Sequence, residues 1–428
     1  MTNATLASTN LAEISLVEPE MCADPFPYFA ELLDRAPVLW NKRQKAWFIS
    51  SYDLVSGALR DESFGSDRVG PYLETRIAPE DRERLSKTFE ILAKWLVFLS
   101  PPDHTRLRGL VHKSFTPRRI KTLQAKAEEI AMGLATSLRD RLNAGETVDL
   151  MAEYAMPLPG QMIAGMFGVP IEDGARLKKW AEELGLFING FRVGNLDRAD
   201  RDERVANAMH EFEEYLLGLI EGYRREPADN ILSGLVEAND NDGTLTEVEL
   251  LATCTLILDA GYKTIQNAMT NALYILMQSP DDWDRLASDS AVAMTAVEEC
   301  LRFLGPGNVI VRRAVKDIEI GGEHIEAGSR IYLLTGAANR DPNQFEEPDQ
   351  FRIDRRDNQH LMFGRGIHSC LGSSLARMEL VAGLTTFVRE IDRPELAVDP
   401  AELPWHRVLI LHGTDSLPVR RRAAAAGE

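Results

Sequence analysis

The stretch Phe363-Gly364-Arg365-Gly366-Ile367-His368-Ser369-Cys370-Leu371-Gly372 decides the reading of this chain. One cysteine sits at the end of a glycine-broken loop. An apolar helical run follows it at Leu371, Leu375, Met378 and Val381. A thiolate at a helix N-terminus is favoured by the helix dipole and by free amide donors. Gly364, Gly366 and Gly372 let backbone approach something large and flat without Cβ clashes. The plain alternative is a buried structural cysteine in a tight turn.

A thiolate so placed suits axial ligation of a heme iron, where its electron density favours O–O cleavage. Position by position, the stretch resembles the heme-binding signature of the cytochrome P450 family, Phe-Gly-x-Gly-x-His-x-Cys-x-Gly. The resemblance implies heme b, with Cys370 as its iron ligand and Phe363, Gly364 and Gly372 against the cofactor.

A length of 428 residues suggests two or three domains. No stretch rich in Pro, Gly or Ser divides the chain, however, and no internal repeat is evident. The expectation is one heme domain over residues 21–415, with flexible segments at 1–20 and 416–428. The hydrophobic fraction of 44% supports a substantial core. The first 20 residues lack a basic start followed by an apolar core, and no run of 18 apolar residues occurs. Cys22, Cys254, Cys300 and Cys370 are scattered, which argues against a zinc site or disulfide framework and for a reducing cytoplasm. A net charge of −18 argues against nucleic acid as the main partner.

Asp24-Pro25-Phe26-Pro27 opens a helix, and Ala46 to Ile49 reads as a strand. Residues 61–100 are irregularly patterned and suit a mobile loop with a short helix. Ile120, Leu123, Ala127, Ile130, Leu134, Leu138 and Leu142 form a helical stripe. Thr246 and Glu249 form a capping box for a helix that ends before Pro280. About 32 residues at 1.5 Å each would span roughly 48 Å. That helix is apolar on most faces, so it crosses the core. Residues 308–335 read as short strands with turns at Gly321-Gly322 and Ala327-Gly328. The pattern is mainly helical with minor antiparallel β structure. It resembles the cytochrome P450 fold over nearly the whole chain, whose long central helix lies over the heme.

Glu299 and Arg302 stand at i,i+3 spacing and can pair on a helix. By resemblance this pair is buried and braces the cysteine loop. Gln350 stands where many relatives place a third, cationic member, and Arg355 is the candidate to replace it. His104 and Arg108 are four apart on one helical face. Together with Arg312 and His368 they match the family's heme-propionate partners; a buried carboxylate must be paired. Taken singly, each also suits a surface or capping role.

Ala260-Gly261-Tyr262-Lys263-Thr264 occupies the middle of the long helix. By resemblance, Ala260 and Gly261 open a groove at a distorted turn that binds oxygen, and Thr264 guides protons onto it. Lys263 replaces the family's acid. It either points to solvent or a nearby carboxylate, alters proton delivery, or holds a substrate carboxylate. Trp40, Trp47 and Trp95 read as core residues. Lys113, Arg118, Arg119, Arg365 and Arg377 fall on segments that the family places on the cysteine side, where an acidic ferredoxin docks.

The resemblance implies a heme-thiolate monooxygenase. It would insert one atom of dioxygen into a small or mid-sized organic substrate, with electrons from a ferredoxin and an NAD(P)H-dependent reductase. Its pocket walls would come from residues 70–97, 183–194, 256–264, 306–311 and 407–410, with Leu186, Phe187, Phe191 and Leu256 making it apolar. Lys263 keeps open an oxidative coupling, desaturating or peroxide-driven enzyme. A non-catalytic heme sensor is the remaining alternative.

Overall fold

Thr246 starts the helix that organises the molecule, Glu247–Gln278. Its hydroxyl accepts from the Glu249 amide at 3.2 Å, and the Glu249 carboxylate accepts from the Thr246 amide at 3.0 Å. Both halves of the expected capping box therefore form. The computed structural model describes residues 10–77, 79–112, 117–188, 198–240, 245–408 and 410–422. The central helix packs against Pro157–Phe167, Gly174–Ile188, Ala293–Leu304 and Ser373–Glu390. Contact on so many sides explains why Leu250, Leu251, Leu258, Ile265, Met269, Leu273 and Leu276 are all buried.

The helix Pro117–Asn143 lies along Ser373–Glu390, the helix that follows the cysteine. Its expected stripe faces inward: Ala127, Ile130, Leu138 and Leu142 are buried. Ile120 lies where side chains are outside the described set. Residues 61–100 depart from expectation. They hold the helices Val69–Arg76 and Pro79–Ala93, the latter 15 residues long. The reason is a stripe at Leu85, Thr88, Phe89 and Leu92, buried at i, i+3, i+4 and i+7.

The largest sheet runs in the order Val38–Asn41, Ala46–Ile49, Arg330–Leu333, Ile310–Ala314, Phe64–Gly65. It is not purely antiparallel. Ala46–Ile49 pairs parallel with Arg330–Leu333, setting Phe48 beside Tyr332 with rings stacked 5.7 Å apart. Hundreds of intervening residues separate these strands, so no hairpin constrains their direction.

Both domain boundaries need correction. Leu11, Ile14, Leu16 and Val17 are buried, and Tyr28 and Asn41 donate to the Leu11 and Ile14 carbonyls at 2.8 and 2.9 Å. The fold thus includes residues from Asn10 onward. At the other end, Pro418–Arg420 is a strand between Val148–Asp149 and Glu395–Leu396. Leu417 and Val419 alternate into the core and are fully buried, which anchors a segment expected to be loose. Among the described residues, no helix is long and apolar enough to cross a membrane.

Candidate active site

The cysteine loop is held by its own backbone. The Cys370 amide donates to the Phe363 carbonyl at 2.8 Å, and the Gly364 amide to Leu361 at 2.9 Å. Gly364 and Gly366 have φ of 63° and 72°, the left-handed region that glycine enters freely. Gly366 also has no room for a side chain: a Cβ would stand 2.5 Å from the Leu59 carbonyl oxygen. At Gly372 a Cβ would meet no protein atom within 4 Å, so that face of the loop is open. Gly372 caps the helix Ser373–Glu390. Cys370 keeps accessible surface although protein surrounds it. Burial raises its thiol pKa, while the Gly372 amide, Arg108 and Arg377 oppose that shift. The last three act in the direction a thiolate needs.

Glu299 and Arg302 form a two-pronged pair at 2.8 Å for both contacts, and both side chains are 0% exposed. Arg355 is the third member, its Nε 3.1 Å from Glu299. Gln350 contributes only its backbone carbonyl, which accepts from Arg302 and Arg355 at 3.2 Å each. Asn358 and the Arg352 amide complete the shell around Glu299 at 3.1 and 3.0 Å. The network ties Ala293–Leu304 to residues 346–358, the run leading into the cysteine loop.

A second clamp was not foreseen. Glu298 accepts two hydrogen bonds from Arg377 and lies 3.2 Å from His360. Burial would raise its carboxyl, but Arg377 and His360 hold it down at about 2. Arg377 lies over the Phe363 ring, 4.3 Å from its centroid. It is therefore paired rather than free on the surface. Arg365 likewise bonds the Tyr52 hydroxyl, at 2.5 Å. Lys113 and the side chains of Arg118 and Arg119 lie outside the described residues.

His104, Arg108, Arg312 and His368 come together beside the loop. The His104 and His368 rings meet edge to face at 4.5 Å. Arg108 donates to the Ser369 carbonyl at 2.7 Å. Arg312 is buried and, among the described residues, donates only to the Val311 carbonyl, at 3.0 Å. Both ring nitrogens of His104 are buried without a partner among the described residues. Burial, then Arg312, His104 and Arg108, pushes His368 down to about 3. Burial and Arg108 also lower His104. Among the described residues, none of the four is paired with a carboxylate. Buried and half-buried donors gathered with no carboxylate among them are the signature of an anion site.

The middle of the central helix behaves differently from expectation. It stays α-helical through Ala260–Thr264. The Thr264 hydroxyl donates to the Ala260 carbonyl at 2.6 Å, the local bond a mid-helix threonine makes. Ala260 is exposed, although most of the helix on either side of it, from Glu249 to Asp259 and from Ile265 to Met277, is buried. Ala260 and Thr264 thus share an open face. Gly261 turns the other way, where a Cβ would stand 3.2 Å from Ile163; it permits close helix packing rather than opening a groove. Lys263 donates to the Glu182 carbonyl at 3.3 Å, on the helix Gly174–Ile188. One turn earlier, Asp259 is buried and its carboxyl is pushed up to about 6 by burial, with Lys263 opposing.

An aromatic cluster joins the helices Val69–Arg76, Pro79–Ala93 and Gly174–Ile188. Phe187 meets Tyr72, Phe89 and Phe98 at 5.7, 5.8 and 6.1 Å. Leu186 is buried and Leu256 partly so. Trp95 is core, donating to Thr255 at 2.8 Å. Phe191 and Leu409 lie outside the described residues.

Residues 18–400 match the family described as Cytochrome P450. The chain is a cytochrome P450. Nocardicin C N-oxygenase of Nocardia uniformis subsp. tsuyamanensis is 34% identical over 402 residues, covering 92% of this chain and 95% of that relative. The crystal structure of CalO2 superposes with a TM-score of 0.87 at 26% identity, over 96% of this chain and 99% of that one. A myxobacterial cytochrome P450, CYP267B1, solved with myristic acid, gives 0.83 at 32% identity, over 96% and 99%. This cytochrome P450 is accordingly a monooxygenase-family enzyme, and its family implies heme. The unpartnered His104 nitrogens, the open face at Gly372 and the unpaired Arg312 all fit such a group. Arg68, not singled out in the sequence, joins this neighbourhood, close enough for Arg312 to act on its charge.

Proposed function

We infer that the protein is a heme-thiolate monooxygenase acting on a small or mid-sized organic substrate, with electrons from a separate ferredoxin and reductase. The observation that carries this reading is Cys370 at a helix N-terminus beside an anion site with no anion of its own. Cys370 would hold the iron, and His104, Arg108, Arg312 and His368 the two propionates. When bound, the heme supplies the redox chemistry that splits dioxygen and delivers one oxygen atom to substrate.

The protein's own groups do the rest. Arg108 bridges the anion site and the cysteine loop through Ser369, so filling one steadies the other. The Glu299 network and the Glu298–Arg377 pair fix the loop from behind. The Phe187 cluster supplies apolar surface for a substrate's hydrocarbon part. Thr264 Oγ1, oriented by the Ala260 carbonyl, holds a proton on that face. The tie between Lys263 and the Glu182 carbonyl favours the ordinary reaction over the coupling and peroxide-driven alternatives, because it turns the ammonium toward a neighbouring helix.

The test is product analysis with labelled dioxygen, reductase and NAD(P)H. One labelled oxygen atom in the product supports the reading. Unlabelled coupled or desaturated product refutes it, as does heme without turnover.

A further inference from the structure

Arg68 is a cation with no anionic partner in a neighbourhood already rich in cations. Its guanidinium lies over the Phe98 ring, 4.8 Å from the centroid. Among the described residues its side chain forms no hydrogen bond or ion pair. Its segment is pinned to the anion site, because Ser66 Oγ lies 3.1 Å from His368 Nε2 and 3.4 Å from the Leu99 carbonyl. On its other side, Phe98 meets Phe187 in the aromatic wall. Arg68 therefore stands between the anion site and the aromatic cluster.

The anion site is already furnished without Arg68. The His104 and His368 rings meet there, and among the described residues both nitrogens of His104 are buried without a partner. Arg108 and Arg312 carry the two charges that two propionates need. Arg68 is the surplus. Burial and then Arg312 depress its pKa to about 10, which leaves it charged at pH 7. A crowded guanidinium held beside like charge is costly unless an anion joins it. Part of its surface remains accessible, which is the approach such an anion needs.

We propose that Arg68 binds the carboxylate of an acidic, largely apolar substrate, whose hydrocarbon part lies against Phe98 and Phe187. This rests on the heme-thiolate reading and narrows its substrate class. A heme propionate offers the same carboxylate chemistry, and the two sources are separable by experiment. A planar guanidinium stacked on an aromatic ring keeps its edge donors free for two-pronged carboxylate binding. The structural neighbour solved with myristic acid is likewise bound to an apolar carboxylic acid.

The experiment uses the heme-loaded enzyme, with calorimetric titration by dodecanoate and by dodecanol as equal-length probes. Dodecanoate should bind the wild type at least about tenfold more tightly than dodecanol. Arg68→Gln should abolish that preference, and Arg68→Lys should restore part of it. Equal preference in wild type and Arg68→Gln would overturn the proposal, as would no dodecanoate binding to the wild type. Faster heme loss from Arg68→Gln with the preference intact would assign Arg68 to a propionate, which also overturns it. The carbon monoxide spectrum of each variant separately reports the heme-thiolate reading. Its failure in the wild type is thus distinguishable from failure of the Arg68 assignment.

Discussion

Arg377 grips Glu298 through Nε at 2.6 Å and Nη2 at 2.8 Å, and the same guanidinium lies over the ring of Phe363. One ion pair therefore links the Ala293–Leu304 helix, the cysteine helix and the first residue of the cysteine loop. Glu298→Gln should destabilise the protein by about 1–3 kcal/mol, as expected for lost charged hydrogen bonds. The carboxyl is held down at about 2, below its ordinary value of 4.5. Its contribution is thus full above pH 4.5 and lost as pH falls toward 2. Chemical denaturation at pH 7 and pH 3 checks this: the gap between wild type and Glu298→Gln should narrow at the lower pH.

Cys370 should be the protein's ligand to iron. The reduced carbon monoxide complex should show the red-shifted absorption of thiolate ligation. A Cys370→His variant that kept this spectrum would rule the ligand out.

Arg108→Ala and Arg312→Ala should each lose heme faster to an acceptor globin, by about tenfold or more. Arg108→Ala should also loosen the loop, because its bond to the Ser369 carbonyl goes with it. Unchanged heme transfer in both variants contradicts the anion-site assignment.

Lys263 opposes the upward shift of the Asp259 carboxyl. Lys263→Ala should raise that carboxyl further. A raised carboxyl favours the folded state while protonated and penalises it as pH rises past the unfolded value toward the folded one. The variant should therefore lose more thermal stability, relative to wild type, at pH 8 than at pH 5. Lys263→Asp should raise coupling of reductant to product with little change in substrate affinity. Weaker substrate binding with unchanged coupling would move Lys263 into the pocket.

Reduction by an acidic ferredoxin should slow as salt rises, because screening sets in over about 10 Å at 0.1 M. Charge reversal at Arg119 should slow reduction more than substrate binding. Arg377 is no longer a clean probe, since Glu298 neutralises it. A reduction rate independent of salt would count against an electrostatic docking face.

Much of the architecture was legible because it rests on local chemistry. The capping box at Thr246, the apolar stripe from Ala127 to Leu142, and the glycines around Cys370 each act within a few residues. Their order along the chain also carried the family resemblance. What the linear order could not show is where distant groups meet. Arg355 replaces a cation at Gln350 only because the chain folds residues 346–358 around Glu299. Glu298 beside Glu299 looks like a solvated helix acid until the cysteine helix brings Arg377 to it. Gly261 reads as an opener of a groove, yet its orientation on the helix turns it toward Ile163. Arg68 has no neighbours in sequence that hint at an anion. Its character comes from the cations and aromatic rings that the fold assembles around it. Propensity and spacing act through bonds along the chain and so can be read there. Charge balance and burial are sums over everything that packs nearby, and only the tertiary structure decides them.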